Sequence, residues 1–181
     1  FSTIGDKLDV TKYRKTAEDL LFNKDLPLDI DYNQSVFALD STSTQFDITQ
    51  TSIGQGKTTV SPAHMAMIAS AIANDGVLMK PYLIDEVVND NGDSVKKTEP
   101  VAYKRLMSSN EANLLGKMMR QVVTSGTASA LNGRSYTVAG KTGSAEFNEQ
   151  GDSHSWFVGY TNVDNPELVI AVIVENGGAG S

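Results

Sequence analysis

Residues 138–146 read VAGKTGSAE, and they are followed by HSWFVGY at residues 154–160 and by ELVIAVIVE at residues 167–175. All three segments are rich in the β-branched, aromatic and small apolar residues that favour strands, and short polar stretches separate them. Connections this short join antiparallel neighbours, because a parallel pair needs a crossover of a dozen or more residues. The sequence therefore predicts an antiparallel meander with strands at residues 136–146, 155–160 and 167–175.

Two helices are predicted upstream of this meander. The Ser-Pro pair at residues 61–62 starts the first, because serine caps free amides and proline at the first helical position has no amide to lose; the helix stops at Gly76. Ser108 and Glu111 form a capping box at the start of the second, which ends at Gly126. We expect its apolar face to contain Leu114, Leu115, Met118, Met119, Val122 and Val123.

Weaker signals complete the predicted fold. Residues 11–22 show amphipathic helical spacing, and residues 83–88 and 94–98 form a predicted hairpin around an Asn-Gly turn. Residues 23–51 predict loops and short strands without firm limits. The fold class is α+β, an antiparallel sheet with packed helices, and residues 1–181 form one unit.

Composition excludes several classes of function. The net charge of −7 and pI near 4.7 argue against a nucleic-acid surface, which needs clustered lysine and arginine. The chain has no cysteine, so neither a disulfide framework nor a thiolate metal site is possible. The two histidines, His64 and His154, lack a second ligand at zinc spacing, so no metal is expected. His64 is predicted to lie in the core or at a helix end.

Two Gly-Lys-Thr triplets, at residues 56–58 and 140–142, superficially match a nucleotide-binding loop. The glycine required five positions before the Gly-Lys glycine is Thr51 in one case and Ser135 in the other. Without that glycine the loop cannot wrap phosphates, and neither lysine is followed directly by a predicted helix. We therefore expect no nucleotide and no other cofactor.

The segment with Lys141-Thr142-Gly143 resembles the third active-site motif of penicillin-binding D,D-transpeptidases, and its surroundings extend that resemblance. Blocks in the family's order are SIGQG at 52–56, AIANDGV at 71–77, KPYL at 80–83, VVTSGTA at 122–128 and VENGG at 174–178. The resemblance implies the C-terminal part of a penicillin-binding or β-lactamase-like fold. It also implies a peptidoglycan stem peptide ending in D-Ala-D-Ala as substrate, and β-lactam antibiotics as ligands.

The residue types of this motif indicate which chemical roles it can have. Thr142 and Ser144 are two positions apart, so their hydroxyls share one face of a strand and can both reach a substrate carboxylate. Lys141 supplies positive charge, and Gly143 lets a substrate approach the backbone closely. By resemblance, the Ser144 backbone amide is one half of an oxyanion hole, and Lys141 aids proton transfer. The role of Trp156 stays open, whereas Phe157 is expected in the core.

The family also uses Ser-x-x-Lys, which holds the nucleophile, and Ser-x-Asn. The sequences SVKK at 94–97 and SSN at 108–110 match these patterns, but we reject both. On a strand, Ser94 and Lys97 point to opposite faces, and Ser108 is already a helix cap. Residues 1–8 resemble the segment that follows Ser-x-Asn. We therefore expect this chain to be a piece that is cut at both ends and lacks the nucleophile. The nucleophile is expected in the missing N-terminal part of the same domain.

Several alternatives remain open from sequence. A serine β-lactamase or a D,D-carboxypeptidase of the same superfamily shares the Lys-Thr-Gly motif. A non-catalytic β-lactam sensor is an alternative of another class. The resemblance further implies a location on the extracytoplasmic face of the bacterial membrane, through an anchor absent from this chain. The longest apolar run, residues 168–174, is too short to span a bilayer, so the fragment itself is expected to be soluble.

Overall fold

A computed structural model describes residues 2–146 and 151–180. Part of the loop expected between the first two strands of the meander, residues 147–150, lies outside the described residues, as do the two terminal residues of the predicted unit 1–181. The helices are α1 Ser2–Gly5, α2 Val10–Asp19, α3 Gln45–Ser52, α4 Pro62–Ala73 and α5 Ser109–Ser125. The strands are β1 Val77–Met79, β2 Glu86–Val88, β3 Ser94–Lys97, β4 Ala102–Arg105, β5 Val138–Ala145, β6 His154–Thr161 and β7 Val169–Val174.

The predicted meander is confirmed as a three-stranded sheet in the order β5-β6-β7, with both pairs antiparallel. In its register Lys141 lies opposite Val158 and Ser144 lies opposite Ser155. Gly140 lies opposite Gly159, and the Phe157 ring covers Gly140 so closely that a methyl group there would overlap it. The alternation of small and large residues thus allows an aromatic side chain to pack across the sheet.

Helices α4 and α5 contact each other and the sheet. Met119 of α5 packs on Ala139 and Tyr160 in one buried cluster, and Val123 packs on Val138 in a second, to which Phe157 adds its partly buried ring. The expectation that Phe157 belongs to the core is therefore confirmed. This packing, together with a hydrogen bond of 2.9 Å from the Arg120 guanidinium to the Val138 carbonyl oxygen, fixes the start of β5 against α5.

Helix α5 has the predicted capping box, in which the Ser108 hydroxyl accepts from the Glu111 amide and the Glu111 carboxylate accepts from the Ser108 amide. Its predicted apolar face is wrong in part, because Leu114, Leu115 and Met118 are 54%, 38% and 53% exposed. The buried stripe instead contains Ala112, Gly116, Met119 and Val123. Small residues in that stripe let the helix backbone approach the sheet, so large apolar residues beside it stay outside.

Helix α4 is central, as predicted, with Ser61 as its N-cap. His64 is fully buried, its Nε2 lies 2.8 Å from the Leu20 carbonyl oxygen, and its ring packs on Phe22, which confirms the core interpretation. Burial lowers the pKa of His64, and the contact with the Leu20 carbonyl opposes that effect only partly. His64 therefore belongs to the interior, packed between α4 and the residues that end and follow α2.

Helix α3 corrects the expectation of loops and short strands across residues 23–51. Thr44 and Asp47 form a capping box at its start, and only Ile48 and Thr51 are buried along it. Such a short helix has little apolar periodicity, so its cap was the available signal. The turn that follows α3 carries Gln55, which reaches the outer edge of β5.

The predicted hairpin is confirmed, with β2 and β3 paired in antiparallel fashion and Gly92 at φ 85° in its turn. Strands β1 and β4 form a separate antiparallel pair. None of the helices in the described parts of the chain is both long enough and apolar enough to cross a bilayer.

Candidate active site

The outer edge of β5 faces an open groove of about 950 Å³. Among the described strands, β5 pairs only with β6, so its other edge has no strand partner and is called the free edge below. Lys141, Thr142, Gly143 and Ser144 all line the groove. Its other walls include residues 53–60, Thr127, part of β6 and the tail at Ala179 and Gly180. The structure therefore brings the four predicted site residues together at one open strand edge.

Lys141 is exposed, and its ammonium donates a hydrogen bond of 2.6 Å to the carbonyl oxygen of Thr142. Within the described residues Lys141 takes part in no ion pair. Its positive charge is therefore not paired with a carboxylate among these residues. A lysine in this state can attract an anionic group that enters the groove.

The two hydroxyls predicted to share one face of β5 each have a partner from another segment. The Thr142 hydroxyl lies 2.6 Å from the Thr127 hydroxyl, and the Ser144 hydroxyl accepts a 2.9 Å hydrogen bond from the Gly180 amide. A hydroxyl has one donor and two acceptor positions, so Ser144 keeps its O–H for a ligand. This arrangement suits a carboxylate, which accepts but does not donate.

The Ser144 backbone also faces the groove. Its carbonyl oxygen accepts a 3.0 Å hydrogen bond from the Gln55 side chain, which approaches from the free edge. In an extended strand the N–H and C=O of one residue point to the same edge, so the Ser144 amide points into the groove as well. An amide in that position can donate to an oxygen that gains negative charge.

Three residues that contact this site were not assigned roles from sequence: Gln55, Thr127 and Gly180. Gln55 and Thr127 lie in the blocks SIGQG and VVTSGTA, which marked them as part of a family pattern but not as site residues. A methyl group at Gly180 would overlap the Gly143 carbonyl oxygen, so the tail needs a glycine there to lie against β5. Only the folded chain reveals these contacts.

The two serines rejected as catalytic candidates lie elsewhere. Ser108 caps α5 with its hydroxyl, and Ser94 is exposed on β3, in a different sheet from β5. Neither is among the described residues that line the groove, although His154 and Trp156 are. The His154 Nδ1 accepts a hydrogen bond from the Asn176 amide. Trp156 thus borders the groove.

The described residues contain no group of three or more histidine, cysteine, aspartate or glutamate side chains that could hold a metal ion.

Comparison with known proteins gives a consistent result. The family model described as penicillin binding protein transpeptidase domain matches residues 1–181. The chain is 31% identical over 171 residues to penicillin-binding protein 3 of Bacillus subtilis. This alignment covers 91% of this chain and 24% of the relative. The chain thus spans about a quarter of that relative's length.

Solved structures show the same similarity. The D,D-transpeptidase domain of a peptidoglycan glycosyltransferase from Eggerthella lenta superposes with a TM-score of 0.85 at 30% identity, covering 99% of this chain and 47% of that one. The penicillin G acyl-enzyme complex of penicillin-binding protein A from M. tuberculosis has a TM-score of 0.84 at 24% identity, covering 99% and 40%. The predicted α+β class and transpeptidase-like fold are confirmed.

Proposed function

The chain belongs to the penicillin-binding protein transpeptidase domain family, and from this premise we propose that it is part of one domain of a serine D,D-transpeptidase. In this proposal the complete enzyme cross-links peptidoglycan stem peptides through a serine acyl-enzyme and binds β-lactams. The observation that supports it most is the free edge of β5, which presents Lys141, Thr142, Gly143 and Ser144 to an open groove.

The substrate would be a stem peptide that ends in D-Ala-D-Ala. Its terminal carboxylate would accept hydrogen bonds from the Thr142 and Ser144 hydroxyls, close to the Lys141 charge. Its backbone would add to the free edge of β5 as an extra strand, with Gly143 permitting the close approach. The scissile carbonyl oxygen would then meet the Ser144 amide, where negative charge develops during attack.

The reaction is acyl transfer. A serine hydroxyl attacks the scissile carbonyl carbon and loses its proton to a base, the terminal D-alanine leaves as an amine, and an amine of a second stem peptide takes the acyl group. We propose that this serine and its base lie in the N-terminal part of the same domain, because neither Ser94 nor Ser108 lines the groove that holds Lys141. Lys141 would aid proton transfer through the serine of the Ser-x-Asn motif. No cofactor has a role in this scheme.

The location follows from the substrate. Peptidoglycan stem peptides lie outside the membrane, and we propose that the complete protein acts on the extracytoplasmic face, held there by a segment outside this chain.

Labelling with a fluorescent penicillin tests the proposal. We expect the complete protein to gain the mass of one penicillin, and residues 1–181 alone to gain none, because removing the nucleophile of a serine hydrolase costs on the order of a million-fold in rate. A mass increase on a serine of residues 1–181 would show that the nucleophile lies in this chain.

Penicillin labelling, together with an assay of activity on stem peptides, separates the alternatives. A complete protein that loses the label rapidly by hydrolysis would be a β-lactamase, and one that keeps it but releases D-alanine to water alone would be a carboxypeptidase. A protein that is stably labelled but has no activity on stem peptides would be a β-lactam sensor. Absence of any label on the complete protein would contradict the proposal.

A further inference from the structure

Gln55 lies in a tight turn between α3 and the residues that border the groove. The turn is tied to the end of α3, because the Gln55 amide donates to the Gln50 carbonyl and the Gly54 amide donates to the Thr51 carbonyl, each at 3.0 Å. Gly54 and Gly56, on either side of Gln55, have φ angles of 82° and 87°, which favour glycine. The backbone thus holds the Gln55 side chain in a defined direction.

The Gln55 carboxamide makes two hydrogen bonds with the free edge of β5. Its Nε2 donates to the Ser144 carbonyl oxygen at 3.0 Å, and its Oε1 accepts from the Glu146 amide at 3.2 Å. A donor and an acceptor on one planar group therefore engage an acceptor and a donor two residues apart, as a residue of a parallel neighbouring strand would. The side chain takes the place of a strand partner directly after the Lys-Thr-Gly-Ser segment.

We propose that Gln55 is a positioning residue for the Ser144 amide and limits strand addition to the part of β5 before Glu146. This inference rests on the proposed function. Holding the Ser144 C=O and the Glu146 N–H fixes the two peptide planes that flank Ala145. The Ser144 N–H lies in the adjoining Gly143–Ser144 peptide plane and points to the same edge as the held carbonyl. Because β6 holds one side of β5 and Gln55 holds the other, this amide is aimed into the groove before a ligand arrives. Preorganised donors of this kind stabilise developing charge without reorganisation.

The same contacts define how a peptide can lie on the edge. A residue placed opposite Ser144 in an antiparallel register would accept from the Ser144 N–H and donate to the Ser144 C=O. The carbonyl oxygen has two lone pairs, so it can accept from both Gln55 and a ligand. The Glu146 amide is occupied by Gln55, so pairing cannot continue past Ser144. The register of an added strand is thereby fixed with its reacting residue at Ser144.

The test compares variants of the complete protein. Gln55→Met keeps the approximate volume and removes both hydrogen bonds, whereas Gln55→Glu keeps the acceptor for Glu146 and removes the donor to Ser144. Gln121→Met, at an exposed position on α5 outside the groove lining, is the matched control. Stopped-flow labelling with penicillin gives the first-order acylation constant and the dissociation constant of the complex that precedes it.

We expect Gln55→Met to slow acylation by about tenfold while the dissociation constant changes by less than about twofold, since an amide that is no longer preorganised affects the transition state more than the ground state. Gln55→Glu should lose at least as much, and the control nothing. Thermal unfolding midpoints of the variants should match that of the wild type. Amide hydrogen exchange at Glu146 should accelerate in Gln55→Met.

The outcomes are distinguishable. A wild-type protein that penicillin does not label would overturn the proposed function and the role of Gln55 with it. A labelled wild type whose Gln55→Met variant acylates at the same rate would overturn only the positioning role. Equal losses in the acylation constant and in the affinity would also contradict it, because they would indicate a general contribution to ligand binding.

Discussion

The outer edge of β5 and the β2–β3 hairpin are both exposed antiparallel structures that carry a serine and a lysine three residues apart. In the hairpin these are Ser94 and Lys97, and on β5 they are Lys141 and Ser144. The hairpin is closed by local hydrogen bonds: the Asn89 side chain accepts from the amides of Asn91 and Asp93. The hydrogen bonds that close the hairpin therefore come from residues of its own turn.

The edge of β5 is bonded by distant parts of the chain. Gln55 reaches Ser144 across 89 residues, Gly180 reaches it across 36, and Thr127 reaches Thr142 across 15. Strand, charge and hydroxyl are present in both regions, so residue types alone do not distinguish them. The difference is that segments distant in sequence form hydrogen bonds with the edge of β5, whereas the hydrogen bonds that close the hairpin are local.

The largest expected difference between the two regions concerns their lysines. In the complete protein, Lys141→Ala should slow penicillin acylation by on the order of 100- to 1000-fold, because it removes the positive charge and a proton-transfer group at the reacting centre. Lys97→Ala should leave the rate within about twofold. Time courses of labelling give both rates, and circular dichroism checks that each variant is folded. Equal effects of the two substitutions would show that the surroundings of Lys141 give it no special role.

The second difference concerns backbone packing. At Gly140 an added methyl group would overlap the Phe157 ring and press on the Val158 carbonyl, whereas at Gly92 nothing lies within 4 Å but φ is 85°. We expect Gly140→Ala to lower the free energy of unfolding by about 2–3 kcal/mol, through overpacking. Gly92→Ala should cost about 1 kcal/mol, from the left-handed backbone alone. Urea denaturation of the complete domain measures both, and a larger loss at Gly92 would contradict the packing argument.

The elements that sequence predicted share local signals. The caps at Ser61 and Ser108 located α4 and α5, and the Asn-Gly turn located the hairpin. Helix α3 was missed because its signal is a capping box without a periodic apolar face. The buried face of α5 was misjudged in part because small residues, rather than large ones, mark close contact with a sheet; only tertiary packing decides which stripe turns inward.

The site was predictable in part for the same reason. Its four residues are consecutive on one strand, so local geometry and the family pattern are enough to indicate that they lie together. The contacts of Gln55, Thr127 and Gly180 depend on how loops return to that edge, and no local period encodes such returns. The sequence blocks that contain Gln55 and Thr127 indicated that these positions belong to the family pattern without saying what they touch.

The smallest expected difference compares two threonines, each with one hydrogen bond of 2.6 Å from its hydroxyl. Thr127 bonds the Thr142 hydroxyl at the groove, and Thr98 bonds the Ile84 carbonyl beside the hairpin. Replacing either by valine keeps the shape and removes the bond, and one hydrogen bond contributes about 0.5–1.5 kcal/mol.

Since Thr142 is proposed to bind the substrate carboxylate, Thr127→Val should weaken the non-covalent penicillin complex of the complete protein by about threefold to tenfold. Thr98→Val should affect only stability, and Thr127→Ser, which keeps a hydroxyl, should restore the affinity. If Thr127→Val and Thr98→Val gave the same penicillin affinity, the contact from Thr127 would be a packing feature only, and the contacts from Gln55 and Gly180 would remain as those that organise the site.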